Sequence, residues 1–153
     1  MKPLIVMKFG GSSVADPDKI RSVAQRVIAR KEEGNSVVVV VSAMGDSTDE
    51  LIKLARSVTD APPDREMDML LSSGERISMA LLSMSIQNLG HEAISLTGPQ
   101  AEIITDTSHR RARITDIKAT RVKEEIEKGR IVIVAGFQGE SDAREITTLG
   151  RGG

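Results

Sequence analysis

The stretch LIVMKFGGSS, residues 4–13, determines how the rest of this chain is interpreted. Its apolar first half is typical of a buried strand, and a lysine, two glycines and two serines follow. A helix start comes next, because Asp16 can cap a helix and Pro17 suits a first turn. Glycine lets backbone N–H groups approach an anion, and Lys8 adds a positive charge. The spacing is neither GxxxxGKS/T nor GxGxxG, so taken alone it fits a phosphate cradle and a plain strand-to-helix turn equally well.

Downstream, the chain alternates between strand and helix patterns. The unbroken β-branched run at residues 37–41 predicts a parallel strand buried on both faces. Further strands are predicted at residues 91–97, 102–105, 113–117 and 131–135, and helices at 17–33, behind Ser47, at 64–89 and at 119–128. Alternating strands and helices predict a single α/β domain, a three-layer αβα sandwich with a mostly parallel sheet. Ligands of such sheets bind beyond the carboxyl ends of the strands.

Several local features carry their own predictions. Ser47 and Glu50 fit a capping box, with Leu51, Leu54, Ala55 and Val58 on the packed face of the helix behind it. Met67, Leu70, Leu71, Ile77, Leu81 and Leu82 form the predicted apolar stripe of the long helix. Gly74 inside that helix indicates close approach of a backbone or ligand, or a helix break. His91 and His109 are predicted at the surface, the latter in an exposed turn 109–111, and residues 140–145 are predicted to be polar and mobile.

Composition excludes several classes of function. The formal net charge of −1 gives no reason to expect nucleic acid or an anionic membrane as a partner. Tyrosine and tryptophan are absent, which argues against aromatic stacking on bases. No cysteine is present, so disulfides and thiolate metal sites are excluded. The start shows no signal peptide and no apolar run reaches membrane-spanning length, so a cytoplasmic location is expected.

Four ordered motifs carry a family resemblance. They are KFGGSS at 8–13, VSAMGDSTD at 41–49, LSSGER at 71–76 and TTLGRGG at 147–153. Together they resemble aspartate kinases of the amino acid kinase family, from end to end of the chain. The resemblance implies transfer of the γ-phosphoryl group of ATP, carried with Mg²⁺, to the side-chain carboxylate of L-aspartate. That reaction gives 4-phospho-L-aspartate, the first step towards lysine, threonine and methionine, and the parent enzyme is expected to be a homo-oligomer.

The resemblance also implies two sets of site residues and no metal site built by the protein. Lys8 would meet the transferring phosphoryl group, as the catalytic residue. The phosphate and ATP set is Lys8, Phe9, Gly10, Gly11 and Ser12. The aspartate set is Ser42, Thr48, Glu75, Phe137, Arg151, Gly152 and Gly153. Within it, Glu75 would pair with the ammonium group and Arg151 would hold a carboxylate by a two-pronged contact.

Ordinary structural roles remain open for these residues. Lys8 fits a solvated strand end, Ser42 and Thr48 fit turn and capping positions, Glu75 fits an exposed helix face, and Phe137 fits a core. Asp46 fits a turn, and it is not assigned as a metal ligand. Arg76 is expected to be exposed or a structural partner.

The family pattern continues with a Ser-Asp pair, the nucleotide-base half and ACT modules, which this sequence does not contain. Residues 1–153 are therefore expected to form the amino-terminal, substrate and phosphate-loop part of a kinase domain, weak or inactive alone. Three alternatives stay open. One is a family member acting on carbamate or another acid, the second is a non-catalytic aspartate-binding or assembly module, and the third is a fragment without an independent role.

Overall fold

The computed structural model describes residues 2–150. The strands are β1 (Leu4–Phe9), β2 (Ser36–Val41), β3 (Ala93–Leu96), β4 (Ile103–Thr105), β5 (Ile114–Ile117), β6 (Ile131–Ala135), β7 (Gln138–Ser141) and β8 (Ile146–Thr148). The helices are α1 (Pro17–Glu32), α2 (Ser47–Val58), α3 (Asp64–Asn88) and α4 (Thr120–Glu127), with a short 3₁₀ helix at Gly11–Val14. None of the helices in this part of the chain combines the length and apolar character needed to cross a bilayer.

The central sheet has the order β1-β2-β6-β3, and all of its pairs are parallel. Val37, Val39 and Val41 of β2 belong to a core shared with α1 and α3. Val38 lies in a second core, on the opposite face, shared with α4. Helices therefore cover both faces of a parallel sheet, so the predicted α/β three-layer architecture and the doubly buried β2 are confirmed.

On the α4 side of the sheet, the helices leave the edge strand β1 partly uncovered. Val6 is in register with Val38, so it points to the α4 side of the sheet. Leu4 and Val6 are 58% and 64% exposed, and α4 packs mainly over β6. Lys8 follows on the same side, in register with Val40.

A second sheet, with the order β5-β4-β7-β8, was only partly predicted. The expectation that residues 140–145 are mobile is wrong for their start, because Glu140 and Ser141 belong to β7. Strands of three or four residues are too short to show an alternating pattern, and polar side chains are buried between them. The Gln138 side chain donates to Ser72 O at 3.0 Å, and the Thr105 and Thr147 hydroxyls lie 2.6 Å apart.

The predictions for α2 also need correction. The capping box is wrong, since the N-cap residue is Asp46 without a side-chain bond, and the Ser47 hydroxyl donates to Met44 O at 2.5 Å. None of the α2 residues is buried, and Leu54 and Val58 of the expected packed face are exposed. Helix periodicity identified the apolar face of α2 but cannot show what covers it.

The long helix α3 buries only part of the predicted apolar stripe. Met67, Leu71 and Leu82 are buried as expected, whereas Ile77 and Leu81 are exposed. Polar residues occupy the buried face in their place, namely Asp68, Ser72, Glu75, Ser78 and Ser83. Ranking by hydrophobicity fails here because this face contacts the second sheet and the loop after β2.

Candidate active site

Three strands of the central sheet end at the same level. Phe9, Val41 and Ala135 are register partners, so the loops after β1, β2 and β6 leave the sheet together. Two backbone hydrogen bonds join these exits, from Ser42 N to Phe9 O at 3.0 Å and from Gly136 N to Val41 O at 2.9 Å. The KFGGSS and VSAMGDSTD motifs and the segment after β6 therefore meet at one edge, as expected for a parallel sheet.

A cavity of about 400 Å³ lies at this edge. Six predicted site residues line it: Lys8, Gly11, Ser42, Thr48, Glu75 and Phe137. They come from five segments of the chain, namely β1, the 3₁₀ helix, the β2–α2 segment, α3 and the β6–β7 connection. An amine, two hydroxyls and a carboxyl in one concave site are suited to a small zwitterionic or anionic ligand.

Other predicted residues are not brought to the cavity wall. The Phe9 side chain is buried in the core shared with α1 and α3, and Arg26 lies over its ring at 5.2 Å from the centroid. Gly10 and Ser12 are exposed near the same loop without lining the cavity. Arg151, Gly152 and Gly153 lie outside the described residues.

Glycine at position 11 is required by a close approach of two loops. Gly45 N donates to Gly11 O at 3.0 Å, which ties the loop after β1 to the loop after β2. A Cβ at position 11 would lie 3.0 Å from Ala43 O and 3.1 Å from Gly45 O. A side chain there would require these backbone oxygens to shift by a few tenths of an ångström, so glycine at position 11 lets the two loops lie this close.

Gly74 has a similar role inside α3. A Cβ there would lie 2.9 Å from the Ala43 Cβ, so the expectation of a close backbone approach is confirmed, and the helix continues without a break. This contact seats α3 against the loop after β2. The Ser78 hydroxyl donates to Ser42 O at 2.6 Å and strengthens the same contact.

Glu75 is the most unusual group in the site. Its residue is only 3% exposed, and Oε2 has no hydrogen-bond partner among the described residues. Burial raises the pKa of this carboxyl to about 7, although backbone N–H groups of Glu75 and Ala43 act in the opposite direction. A buried carboxyl oxygen left without a donor costs free energy unless a ligand supplies one.

Phe137 lies half-buried at the wall of the cavity instead of in a core. Its φ of +67° is in the left-handed region, which is rare for a residue with a large side chain. Such backbone strain concentrates at functional sites. Leu149 N donates to Phe137 O at 2.8 Å and helps to hold this conformation.

The cavity also contains residues that were not assigned to it from sequence. These are Val40, Ala43, Gly45, Asp46, Asp49 and Gly136. They lie near the end of β2 or in the segments that follow β2 and β6. The rule that ligands bind beyond the carboxyl ends of parallel strands could therefore have identified them. Spacing alone gave no reason to prefer them over Ser42 or Thr48.

Comparison with known proteins identifies the family of this chain. A model of the amino acid kinase family matches residues 3–153. The chain belongs to the amino acid kinase family. An aspartokinase of Mycolicibacterium smegmatis is 58% identical over 151 residues, which are 98% of this chain and 36% of the relative. The chain thus spans about a third of the length of the curated relatives it matches.

Solved structures of the same family have the same fold. The aspartate kinase of Synechocystis matches with a TM-score of 0.81 and 48% identity, over 98% of this chain and 24% of that one. Aspartokinase III of E. coli, in complex with aspartate and ADP, matches with a TM-score of 0.85 over 99% and 44% of the two chains. At 22% identity the latter likeness shows the fold alone.

Proposed function

We propose that this chain supplies the aspartate pocket and the phosphate-facing loop of an aspartate kinase. The reaction transfers the γ-phosphoryl group of ATP to the side-chain carboxylate of L-aspartate and gives 4-phospho-L-aspartate. Support comes from relatives named aspartokinase and from the cavity at the end of β1, β2 and β6. We place the parent protein in the cytoplasm, where ATP is available. It would catalyse the first step of lysine, threonine and methionine biosynthesis.

The observation that carries the proposal is the environment of Glu75. Its Oε2 is buried and has no hydrogen-bond partner in the described part of the chain, and Glu75 lines the same cavity as Lys8. An α-ammonium group would supply the missing donors and a positive charge, which favours the ionised carboxylate. Among small acids, an amino acid has this group and a simple dicarboxylate lacks it.

The chemistry requires alignment more than proton transfer. A side-chain carboxylate with a pKa near 3.9 is already ionised at neutral pH, so the nucleophile needs no general base. Two anions must then be brought together, and fixed positive charge lowers their repulsion. Lys8 is an exposed amine at the cavity and is placed to receive the transferring phosphoryl group.

The remaining site residues are assigned either to phosphate binding or to aspartate binding. Gly11 lines the cavity, and Gly10 and Ser12 flank it in the same loop, where backbone N–H groups cradle phosphate oxygens. Ser42 and Thr48 hydrogen-bond aspartate, and Phe137 forms one wall. We assign a substrate carboxylate to Arg151 and backbone contacts to Gly152 and Gly153. Phe9 contributes through its backbone, since its side chain is in the core.

Mg²⁺ enters this scheme with the nucleotide, as part of the substrate. In residues 2–150 there is no group of three or more acidic or histidine side chains placed to hold a metal ion. The cation neutralises phosphate charge, while this chain positions aspartate and the phosphoryl group.

The parent enzyme would combine this amino-terminal part with the nucleotide-base half of the domain and regulatory modules. We therefore expect the isolated chain to bind aspartate with little or no turnover.

We also propose that the parent is a homo-oligomer. Ile77, Leu81 and Met84 recur at helical spacing on α3 and are exposed, and such an apolar stripe is a surface that self-association would cover. Light scattering of the wild type and of Ile77→Glu tests this point.

Calorimetry tests the proposed pocket directly. The purified chain should bind L-aspartate and should not bind succinate, which keeps both carboxylates but lacks the ammonium group. Glu75→Gln should abolish aspartate binding, whereas Glu66→Gln, an exposed glutamate on the same helix, should leave it unchanged. Equal binding of succinate and aspartate would overturn the assignment of Glu75.

Turnover is measured separately, by trapping acyl phosphate with hydroxylamine in the presence of ATP and Mg²⁺. The same assay with a panel of other acids and carbamate distinguishes another substrate within the family. Turnover of aspartate by the isolated chain at ordinary kinase rates would contradict the proposed division of the domain.

A further inference from the structure

Asp68 is a second buried carboxyl on α3, in surroundings unlike those of Glu75. It is fully buried, and donors from two different segments surround it. The Thr148 hydroxyl donates to Oδ1 at 2.6 Å, and Arg110 N lies 3.1 and 3.2 Å from the two oxygens. His109 Nδ1 lies 2.7 Å from Oδ2. A carboxylate only accepts hydrogen bonds, so His109 donates here through its Nδ1–H.

These contacts correct the expectation of an exposed turn at 109–111. Arg111 is exposed, but the side chain of His109 is only 22% exposed and closes over Asp68. Sequence gave no signal for this pairing, because the two residues are 41 positions apart. The function proposed above does not use Asp68, His109 or Thr148.

Thr148 connects this cluster to the wall of the active site. It is the last residue of β8 and is in register with Gln138, the residue after Phe137. The next residue, Leu149, donates its N–H to Phe137 O.

We propose that Asp68, acting through the Thr148 hydroxyl, is a positioning residue that anchors the end of β8, and with it the Phe137 wall of the pocket, to the helix carrying Glu75. This inference rests on the proposed function, because it assigns a purpose to residues that adjoin the aspartate pocket. His109 and the Arg110 N–H complete the donors around Asp68 and hold its carboxylate in one orientation.

Hydrogen bonds to Asp68 can hold Thr148 in one precise position. Burying a carboxyl is costly, and hydrogen bonds from well-placed donors are needed to offset the cost. Bonds to a charged acceptor are short and directional, so they fix the Thr148 side chain more firmly than apolar contacts would. Asp68 and Glu75 are seven residues apart on one face of a rigid helix. The distance between the ammonium site and the end of β8 is thereby set by α3.

The neighbouring Thr147 provides a matched control. It is equally buried on β8, but its hydroxyl contacts Thr105 Oγ1 of β4 at 2.6 Å, away from Asp68. Thr147→Val and Thr148→Val each remove one buried hydroxyl from adjacent positions. A purely structural role for Thr148 predicts the same consequences for both substitutions.

The experiment measures L-aspartate affinity by calorimetry and thermal unfolding in parallel. We expect Thr148→Val to raise the Kd for aspartate about tenfold, as a misplaced binding group does, and Thr148→Ser to restore it. Thr147→Val should lower the melting temperature about as much as Thr148→Val does. Its Kd for aspartate should differ from the wild-type value by less than about twofold. Equal Kd values for the two valine variants would overturn the inference.

Two further measurements test the anchoring role, one on His109→Ala and one by hydrogen exchange without ligand. His109→Ala, on a partly exposed residue, should raise the Kd in the same direction as Thr148→Val, and an unchanged Kd would count against the cluster. If the wild-type chain does not bind aspartate, the proposed function fails, and hydrogen exchange of the Leu149 amide decides the anchoring. Faster exchange in Thr148→Val than in Thr147→Val supports it, and equal exchange overturns it.

Discussion

Asp68 and Glu75 lie two turns apart on the buried face of α3, yet within residues 2–150 Asp68 accepts hydrogen bonds from three residues while Oε2 of Glu75 accepts none. Both residues are almost completely buried. The first is satisfied by the protein itself, which is typical of a group that holds structure. The second lines the cavity and keeps one oxygen without a donor in residues 2–150, which is typical of a group that binds a ligand.

Glu75 should make stability depend on pH. Its pKa is raised from 4.5 to about 7 in the folded chain, so the folded state holds a proton that the unfolded state has lost. Because the folded state binds more protons between these values, stability falls as pH rises through this window and levels off above it. The full effect is about 3 kcal/mol, since each pKa unit corresponds to about 1.4 kcal/mol.

Comparison with Glu75→Gln isolates this contribution. We expect the variant to gain stability relative to the wild type from pH 5 to pH 8, by about 2–3 kcal/mol. Urea unfolding at several pH values measures the difference. A constant difference across that range would show that the Glu75 pKa is not raised. Glu66→Gln on the exposed side of α3 serves as the control for removing one negative charge.

Aspartate binding should release a proton near neutral pH. A bound ammonium group favours the ionised form of Glu75, so ligand binding lowers the pKa of this carboxyl. With a free-state pKa of about 7, the Kd for aspartate should rise about tenfold from pH 8 to pH 6. Calorimetry in buffers of different ionisation enthalpy at pH 7 should report about half a proton released. Binding without proton release would contradict the pairing of Glu75 with the ammonium group.

The central sheet was predictable because its strands are long and apolar. The run Val37–Val41 is buried on both faces as its composition indicates, and the ends of β1, β2 and β6 align as a parallel sheet requires. The second sheet was harder to predict. β7 and β8 have three or four residues each and bury Gln138, Thr147 and Thr148, so neither length nor hydrophobicity indicates them. Their stability comes from hydrogen bonds to distant residues.

The site was predictable where residues follow a strand directly or match a family motif. Lys8 is the second-last residue of β1, Ser42 and Phe137 come after β2 and β6, and the structure places all three at one cavity. Glu75 was assigned from the motif that contains it, since a glutamate inside a helix is ordinarily exposed. The Asp68–His109 contact could not be inferred, because it depends on the path of the segment between β4 and β5.

Gly11 and Gly10 should respond differently to alanine. Gly11→Ala brings a Cβ within 3.0–3.1 Å of two backbone oxygens, whereas Gly10→Ala meets nothing within 4 Å. We expect Gly11→Ala to lose about 1–2 kcal/mol of stability and to weaken aspartate binding by separating the two loops. Gly10→Ala should change stability by less than about 0.5 kcal/mol. Thermal unfolding of both variants tests this, and equal stability would show that the loops adjust freely.

Phe137 and Arg144 both have a positive φ, at 67° and 59°, but in different settings. Arg144 is exposed, so Arg144→Gly relieves the left-handed conformation at little cost in contacts and should change stability by about 0–1 kcal/mol in the favourable direction. Phe137→Gly relieves the same strain but removes a half-buried ring, so a net loss of about 1–2 kcal/mol is expected. It should also raise the Kd for aspartate. If Phe137→Gly bound aspartate as tightly as the wild type, Phe137 would not be a wall of the substrate pocket, and its strained backbone would need another explanation.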